Sequence, residues 1–321
     1  ESITNMAAGW EDLKNRLKKI RDEQRRNSEE VIDIWEDLRD FSYKLGDELW
    51  LIYEQVCIAA CDCGRMDIAS YTIEALKAQF PKSSRVRKLI GFRYEALGRF
   101  EDAEKLYRMI LEDDETNSIV RKRLVSILKA QNRNADAIKE LNDYLRTYMS
   151  DYEAWMELSD MYITEQDYSK AAYCLEELIM SNPHNHLYHC RYAEVKYTQG
   201  GQDNMEYARS HFAQATKMSP NNLRALYGLF MAASNIANSS RANAKLKKEN
   251  IKFAAWAAEQ ISNKYRVRIL KGKCRPDNQS TIENVINAFK PGTINVTNIS
   301  KLVSYKELSK SEYRFLNNIE S

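Results

Sequence analysis

Side chains able to hold a metal crowd together at one place in this sequence, His184, His186, His189 and Cys190. Imidazole and thiolate together suit zinc. The spacing argues against a site, because His184 and His186 flank a turn while His189 and Cys190 are neighbours on a helix and point in different directions. They read instead as turn and helix-start residues that hydrogen-bond the loop. Cys61 and Cys63 stand two apart at a helix end and face apart, so no redox pair is expected. Glu176-Glu177 and Asp113-Asp114-Glu115 are paired acids of the kind that mark a solvated helix face or a turn. The sequence holds no phosphate-binding GxxxxGK[ST] loop, no GxGxxG after a strand, no HExxH and no GxSxG. Neither an enzyme nor a cofactor is expected.

The elements that carry these residues repeat. From Tyr152 to Asn185, Trp155, Leu158, Tyr162, Ala171, Leu175, Leu178 and Pro183 fall at the spacings of a tetratricopeptide repeat. Trp155, Leu158 and Tyr162 lie three or four residues apart and form one apolar stripe on a first helix. Ala171 belongs where two helices cross most closely, since a methyl group lets the backbones approach. Pro183 follows the second helix as a stop.

Stepping back from Ala171 by 34 residues gives Ala137, Ala103 and Ala69, and stepping forward by 37 gives Ala208, the excess falling around Gly200-Gly201. Val56, Ile90, Leu124, Leu158 and Tyr192 form a second column, and Ile73, Tyr107, Leu141, Leu175 and Phe212 a third. Pro81, Pro183 and Pro220 close three repeats, while Glu115 and Met149 take that column in the middle two. Repeats are therefore placed at about 50–83, 84–117, 118–151, 152–185 and 186–222, with a degenerate sixth after Leu223. The expected fold is all-α, a right-handed superhelical tetratricopeptide-repeat solenoid occupying 47–265, behind an N-terminal helical cap at 1–46.

The cap is read as a helix over 10–26 with Trp10, Leu13, Leu17 and Ile20 on one face, then a second helix capped by Asn27 or Ser28. A repeat array needs such a cover for its first exposed face. Turns are expected at Cys63-Gly64-Arg65, Leu97-Gly98-Arg99, Asn132-Arg133-Asn134, Glu165-Gln166-Asp167 and Gln199-Gly200-Gly201. A last long helix runs from Ala244 to about Tyr265. Residues 266–321 form a tail outside the phase, with a short helix at Ile282–Phe289 and an extended stretch after Pro291.

The 321 residues include 48 basic and 46 acidic side chains, a net charge of +2, which gives no global pull toward nucleic acid or anionic lipid. No segment reads as a signal peptide or approaches eighteen consecutive apolar residues. Six cysteines without a CxxC pair suit a reducing compartment. The expected location is the cytosol, where the sequons at Asn238, Asn278, Asn295 and Asn298 would go unused.

Such an array offers a groove lined by its first helices, faced by positions 2, 5, 9 and 12 of each repeat. In the second and third repeats these include Arg85, Lys88, Phe92, Lys122 and Lys129, a basic stretch. In the fourth and fifth they include Met156, Asp160, Glu194 and Tyr197, acidic and apolar, and the sixth adds Tyr227 and Met231. An extended or helical peptide of mixed charge fits this wall, with the aromatic and Met side chains as anchors or as packing between repeats. A clamp for chaperone C-termini is disfavoured, because Phe92 and Arg123 stand where that clamp needs Asn. RNA binding through Arg21–Arg26 and Lys245–Lys248 is weaker still, lacking interleaved aromatics.

The runs KLGDELWLIYEQVCIAA (44–60), AAYCLEELIMSNPHNHLY (171–188) and YAEVKYTQGG (192–201) resemble the subunit 2 family of the ER membrane protein complex, over about Trp10 to Tyr265. The resemblance implies a scaffold without catalytic residues on the cytosolic face of the endoplasmic reticulum. It implies partners as well: the cytosolic parts of membrane subunits 3 and 5, and a soluble metalloprotease-like subunit, 8 or 9. The implied role is support for insertion of tail-anchored and multi-pass proteins. The tail after Arg266 carries no resemblance. A soluble adaptor or co-chaperone with no membrane attachment is the alternative.

Overall fold

A computed structural model describes residues 2–240 and 242–270, with side chains at 9–240 and 242–266. The expected helix at Ile282–Phe289, the extended stretch after it, Cys274 and the sequons at Asn278, Asn295 and Asn298 lie outside the described residues.

Every regular element among them is helical. An N-terminal hairpin, α1 (Ser2–Asp22) and α2 (Ser28–Leu38), is followed by a 3-10 segment, Arg39–Lys44. Helix pairs then succeed one another: α3 (Glu48–Asp62) with α4 (Met66–Gln79), α5 (Ser84–Ala96) with α6 (Phe100–Asp113), and α7 (Ser118–Ala130) with α8 (Asn134–Thr147). The series continues with α9 (Tyr152–Thr164) and α10 (Tyr168–Ser181), α11 (His186–Gln199) and α12 (Gln202–Met218), and α13 (Leu223–Asn238) and α14 (Ala244–Leu270). The last helix runs five residues past the end expected at Tyr265. The chain divides into two compact units, one ending at Tyr148 and the next beginning at Met149. The 34-residue phase passes through that point without a break, so the sequence does not mark it.

In the first unit, Ala69, Ala103 and Ala137 are fully buried, and in the second so are Ala171 and Ala208. The first helices meet this column with small residues of their own. Ser159 donates to the Ala171 carbonyl at 3.5 Å. Gly91 lies so close to Tyr107 that a Cβ there would sit 2.2 Å from the ring. At Ser159 and Ala171 both partners give up side-chain volume, and at Gly91 the first helix makes room for the Tyr107 ring of the second.

The first four turns within the repeats share one geometry. Gly64 (φ +73°), Gly98 (φ +71°), Asn132 (φ +58°) and Gln166 (φ +61°) take the left-handed conformation. The next N–H reaches back five residues: Arg65 to Ala60, Arg99 to Tyr94, Arg133 to Leu128 and Asp167 to Tyr162, at 2.8–2.9 Å. This closure satisfies carbonyls that a helix end leaves open. The residue that follows bridges to the second helix by charge. Arg65 pairs with Asp67, Arg99 with Asp102 and Arg133 with Asp136, and the fourth turn inverts the signs as Asp167 with Lys170.

The hairpin packs on the first repeat through one apolar cluster, with Leu17, Ile20, Trp35 and Leu38 against Ile52, Tyr53 and Val56. Its turn is held differently from the sequence expectation. Asn27 occupies the N-cap position of α2 without a side-chain cap bond, and its amide instead donates to Glu30 at 2.6 Å. Ser28 is the first helical residue and donates to Asp62 at 2.8 Å. Asp62 also receives Arg26 through two bonds, at 2.7 and 3.0 Å. The guanidinium bonds hold the Asp62 carboxyl below the usual carboxylate range. A link to the first repeat has won Ser28 over local capping, while Asn27 bonds within the first turn of α2.

Candidate partner-binding surface

In the first unit α3 and α5 lie side by side. Arg85 on α5 reaches Glu54 on α3 at 2.5 Å. Lys88, one turn on, is half-buried and acts on the Asp114 carboxylate through space. Phe92 is not a bare anchor: the Arg123 guanidinium of α7 lies 4.3 Å from its ring centroid. Arg123 also pairs with Glu95 at 3.3 Å, and the Tyr107 hydroxyl donates to the same carboxylate at 2.5 Å. Burial pushes the Glu95 carboxyl up, while Tyr107 and Arg123 pull it back. The two positions where a chaperone-tail clamp needs Asn are thus joined in a cation–π contact. Lys122 stands over the Tyr144 ring at 5.9 Å, and Lys129 is exposed.

The first repeat contributes residues that the sequence reading passed over. Its positions 2 and 9 are Leu51 and Ile58, 44% and 39% exposed, and position 2 of the third repeat is Ile119, 54% exposed. The same count that gives Leu51 and Ile58 in the first repeat gives Ile119, an expected groove residue, in the third. The first-helix side of this unit therefore combines apolar and cationic groups.

In the second unit the acidic positions are already matched. Arg191 reaches Asp160 at 2.7 Å and Glu194 at 3.4 Å, and Arg224 of α13 reaches Glu194 at 2.7 Å. Tyr197 accepts from the Asn235 amide at 2.8 Å, and burial pushes its phenol up. Tyr227 donates to Tyr265 of α14 at 3.1 Å. These two rings pack between helices. Met156 is half-buried and Met231 is 38% exposed, with Leu187 more open at 54%. This wall is largely neutralised and apolar.

The histidines separate. His184 is exposed, and His186 receives the Asn222 amide at 3.0 Å. His189 is buried: one ring nitrogen meets the Pro183 carbonyl at 2.9 Å and the other meets His211 at 3.0 Å. Since a carbonyl only accepts, Nε2 of His189 carries the proton, its Nδ1 accepts, and Nδ1–H of His211 donates. Burial, with His189 alongside, lowers the His211 pKa to about 4. The partner His211 lies twenty-two residues away in sequence, beyond the reach of local spacing. Cys190 is buried against Glu194. Among the described residues no three His, Cys, Asp or Glu side chains converge as metal ligands would.

A family model described as the EMC2 TPR-like repeat domain matches residues 66–217. ER membrane protein complex subunit 2-A of Xenopus laevis is 51% identical over 277 residues, 86% of this chain and 92% of that protein. ER membrane protein complex subunit 2 of Dictyostelium discoideum is 31% identical over 65% of this chain and 67% of its own length. The TPR repeat protein oca3 of Schizosaccharomyces pombe is 27% identical over 75% of this chain and 87% of its own. The C-terminal part of a TPR repeat-containing protein from Cytophaga hutchinsonii, 16% identical, covers 78% of this chain and 93% of its own with a TM-score of 0.55, which speaks to fold alone. With 51% identity over 86% of its length, the chain belongs to the ER membrane protein complex subunit 2 family.

Proposed function

We propose that this chain is a non-catalytic scaffold subunit of an ER membrane protein complex, placed on the cytosolic face of the membrane. The observation that carries the reading is the 51% identity to a named subunit 2 across 86% of the chain. Two features support it. No described helix is long and apolar enough to cross a membrane, which fits a peripheral place in such a complex. The first helices carry open apolar and charged side chains in both units, as a polypeptide-holding surface requires.

In this proposal Arg85, Lys88, Lys122 and Lys129 meet acidic residues of a cytosolic segment from membrane subunit 3 or 5, with Leu51, Ile58 and Ile119 against its apolar side. Met156, Met231 and Leu187 take a more apolar stretch. Phe92, Asp160, Glu194, Tyr197 and Tyr227 shape the walls through the pairs described above. A soluble metalloprotease-like subunit, 8 or 9, binds elsewhere on the chain. The assembly supports insertion of tail-anchored and multi-pass proteins.

The test is the double charge reversal Lys88→Glu with Lys122→Glu. Co-purification of the membrane subunits should fall at least tenfold, about 1.4 kcal/mol, with the helical array still folded. Undiminished co-purification contradicts the proposed wall.

A further inference from the structure

Helix α14 carries a second stripe that its packing does not use. Its inner side meets α13, burying Ala254, Ala257, Ala258 and Ile261. Its outer side begins with Lys245, Lys248 and Lys252, three and four residues apart and all exposed. None of the three forms an ion pair or side-chain hydrogen bond with another described residue, unlike most arginines of the chain. Continuing the same line, Trp256 is 45% exposed, and Ile251 on the flank is 59% exposed.

The placement opposes helix stability. Lys245, Lys247 and Lys248 crowd the N-terminal end of α14, whose first turn holds no acidic residue. The helix dipole is positive there and disfavours cations. Asn243 supplies the cap, accepting from the Leu246 N–H at 2.8 Å, so the lysines are not needed to start the helix. Folding explains neither unpaired cations at the wrong helix end nor an open tryptophan beside them.

We propose that this outer face of α14 docks on an anionic phospholipid surface. Lysines seek lipid phosphates with flexible stems, and Trp is an amphipathic ring suited to the headgroup level. The three lysines and Trp256 share one outward helix face, as a planar partner requires, with the exposed Glu249 and Glu259 at its edges and Ile251 nearer the buried side. RNA is disfavoured because Trp256 stands without a second aromatic on the stripe, leaving successive bases nothing to stack on. This inference does not rest on the proposed assembly, since the isolated chain tests it.

The experiment is co-sedimentation of the full chain with phosphatidylcholine vesicles, with and without phosphatidylserine at about a third of the lipid. The wild type should bind the anionic vesicles and not the neutral ones. Lys245→Gln, Lys248→Gln and Lys252→Gln together should weaken partitioning by about a hundredfold, roughly fivefold per lysine. Trp256→Ala should weaken it by about tenfold. The triple variant should melt no lower than the wild type, because cations have left a positive helix end. Failure of the wild type to bind anionic vesicles overturns the proposal, as does undiminished binding by the triple variant or a clear drop in its Tm. Tighter binding to poly(U) or to soluble polyglutamate than to the vesicles also overturns it.

Discussion

Replacing Gly91 by Ala tests the packing argument at one atom. The new Cβ would stand 2.2 Å from Tyr107 Cε1, 2.5 Å from Cζ and 2.7 Å from the hydroxyl oxygen. Carbon atoms in contact rest about 3.5–4.0 Å apart. The gap must therefore open by more than about 1 Å. Tyr107 cannot turn away, being fully buried with its hydroxyl tied to Glu95 at 2.5 Å. Overpacking of this kind costs about 1–3 kcal/mol. Against it stands the gain in helix propensity from Gly to Ala, about 1 kcal/mol. The net expectation is a loss of up to about 2 kcal/mol, read as a fall in Tm of up to several degrees. Tyr107→Leu removes the ring edge, so in that background the same substitution should be neutral or stabilising. Gly9, where an added Cβ meets nothing within 4 Å, is the control and should gain from Ala. If Gly91→Ala raises Tm equally with and without the Tyr107 ring, the close-approach account is wrong.

Two further outcomes follow from the buried groups. Ala137 is fully buried at a helix crossing, so Ala137→Leu should lower the melting temperature of the first unit by several degrees, a cost of about 1–3 kcal/mol, whereas the exposed Ala135→Leu should not; differential scanning calorimetry distinguishes them. His211, with its pKa lowered to about 4, takes up a proton in the unfolded chain first. Stability of the second unit should therefore be full above about pH 6.5 and decline as pH falls toward 4, since the unfolded state binds more protons in that window. The full shift corresponds to about 3 kcal/mol, and partial exposure of the ring reduces it to about 1–2 kcal/mol. Chemical denaturation between pH 7.5 and 4 should show the slope in the wild type and a flatter one in His211→Gln.

The repeat was legible because its cause is local. A methyl group at a helix crossing recurs at fixed phase, and Ala69, Ala103, Ala137, Ala171 and Ala208 all emerge fully buried. The left-handed turn residues were legible at Gly64 and Gly98 for the same reason. At Gln166 nothing in the residue type demands φ +61°, and only its place in the phase suggested a turn. What escaped the sequence was pairing across helices. His189 and His211 meet over a turn, Arg123 covers Phe92 from the next repeat, and Asp62 takes Ser28 and Arg26 from the hairpin. Each contact depends on how two helices are set against one another, which side-chain spacing does not encode. Of the groove residues, Tyr197 and Tyr227 are engaged by Asn235 and Tyr265 for that reason, while Lys88, Met156 and Met231 keep part of their surface open.

The proposed assembly is tested most directly by isolating the tagged chain from detergent-solubilised microsomes under native conditions and measuring the size and composition of what comes with it. The account predicts a large particle containing membrane-spanning subunits, with the chain sedimenting with microsomes before detergent is added. Recovery of the chain as a free soluble protein, or bound only to soluble chaperones, would contradict it and favour the adaptor alternative.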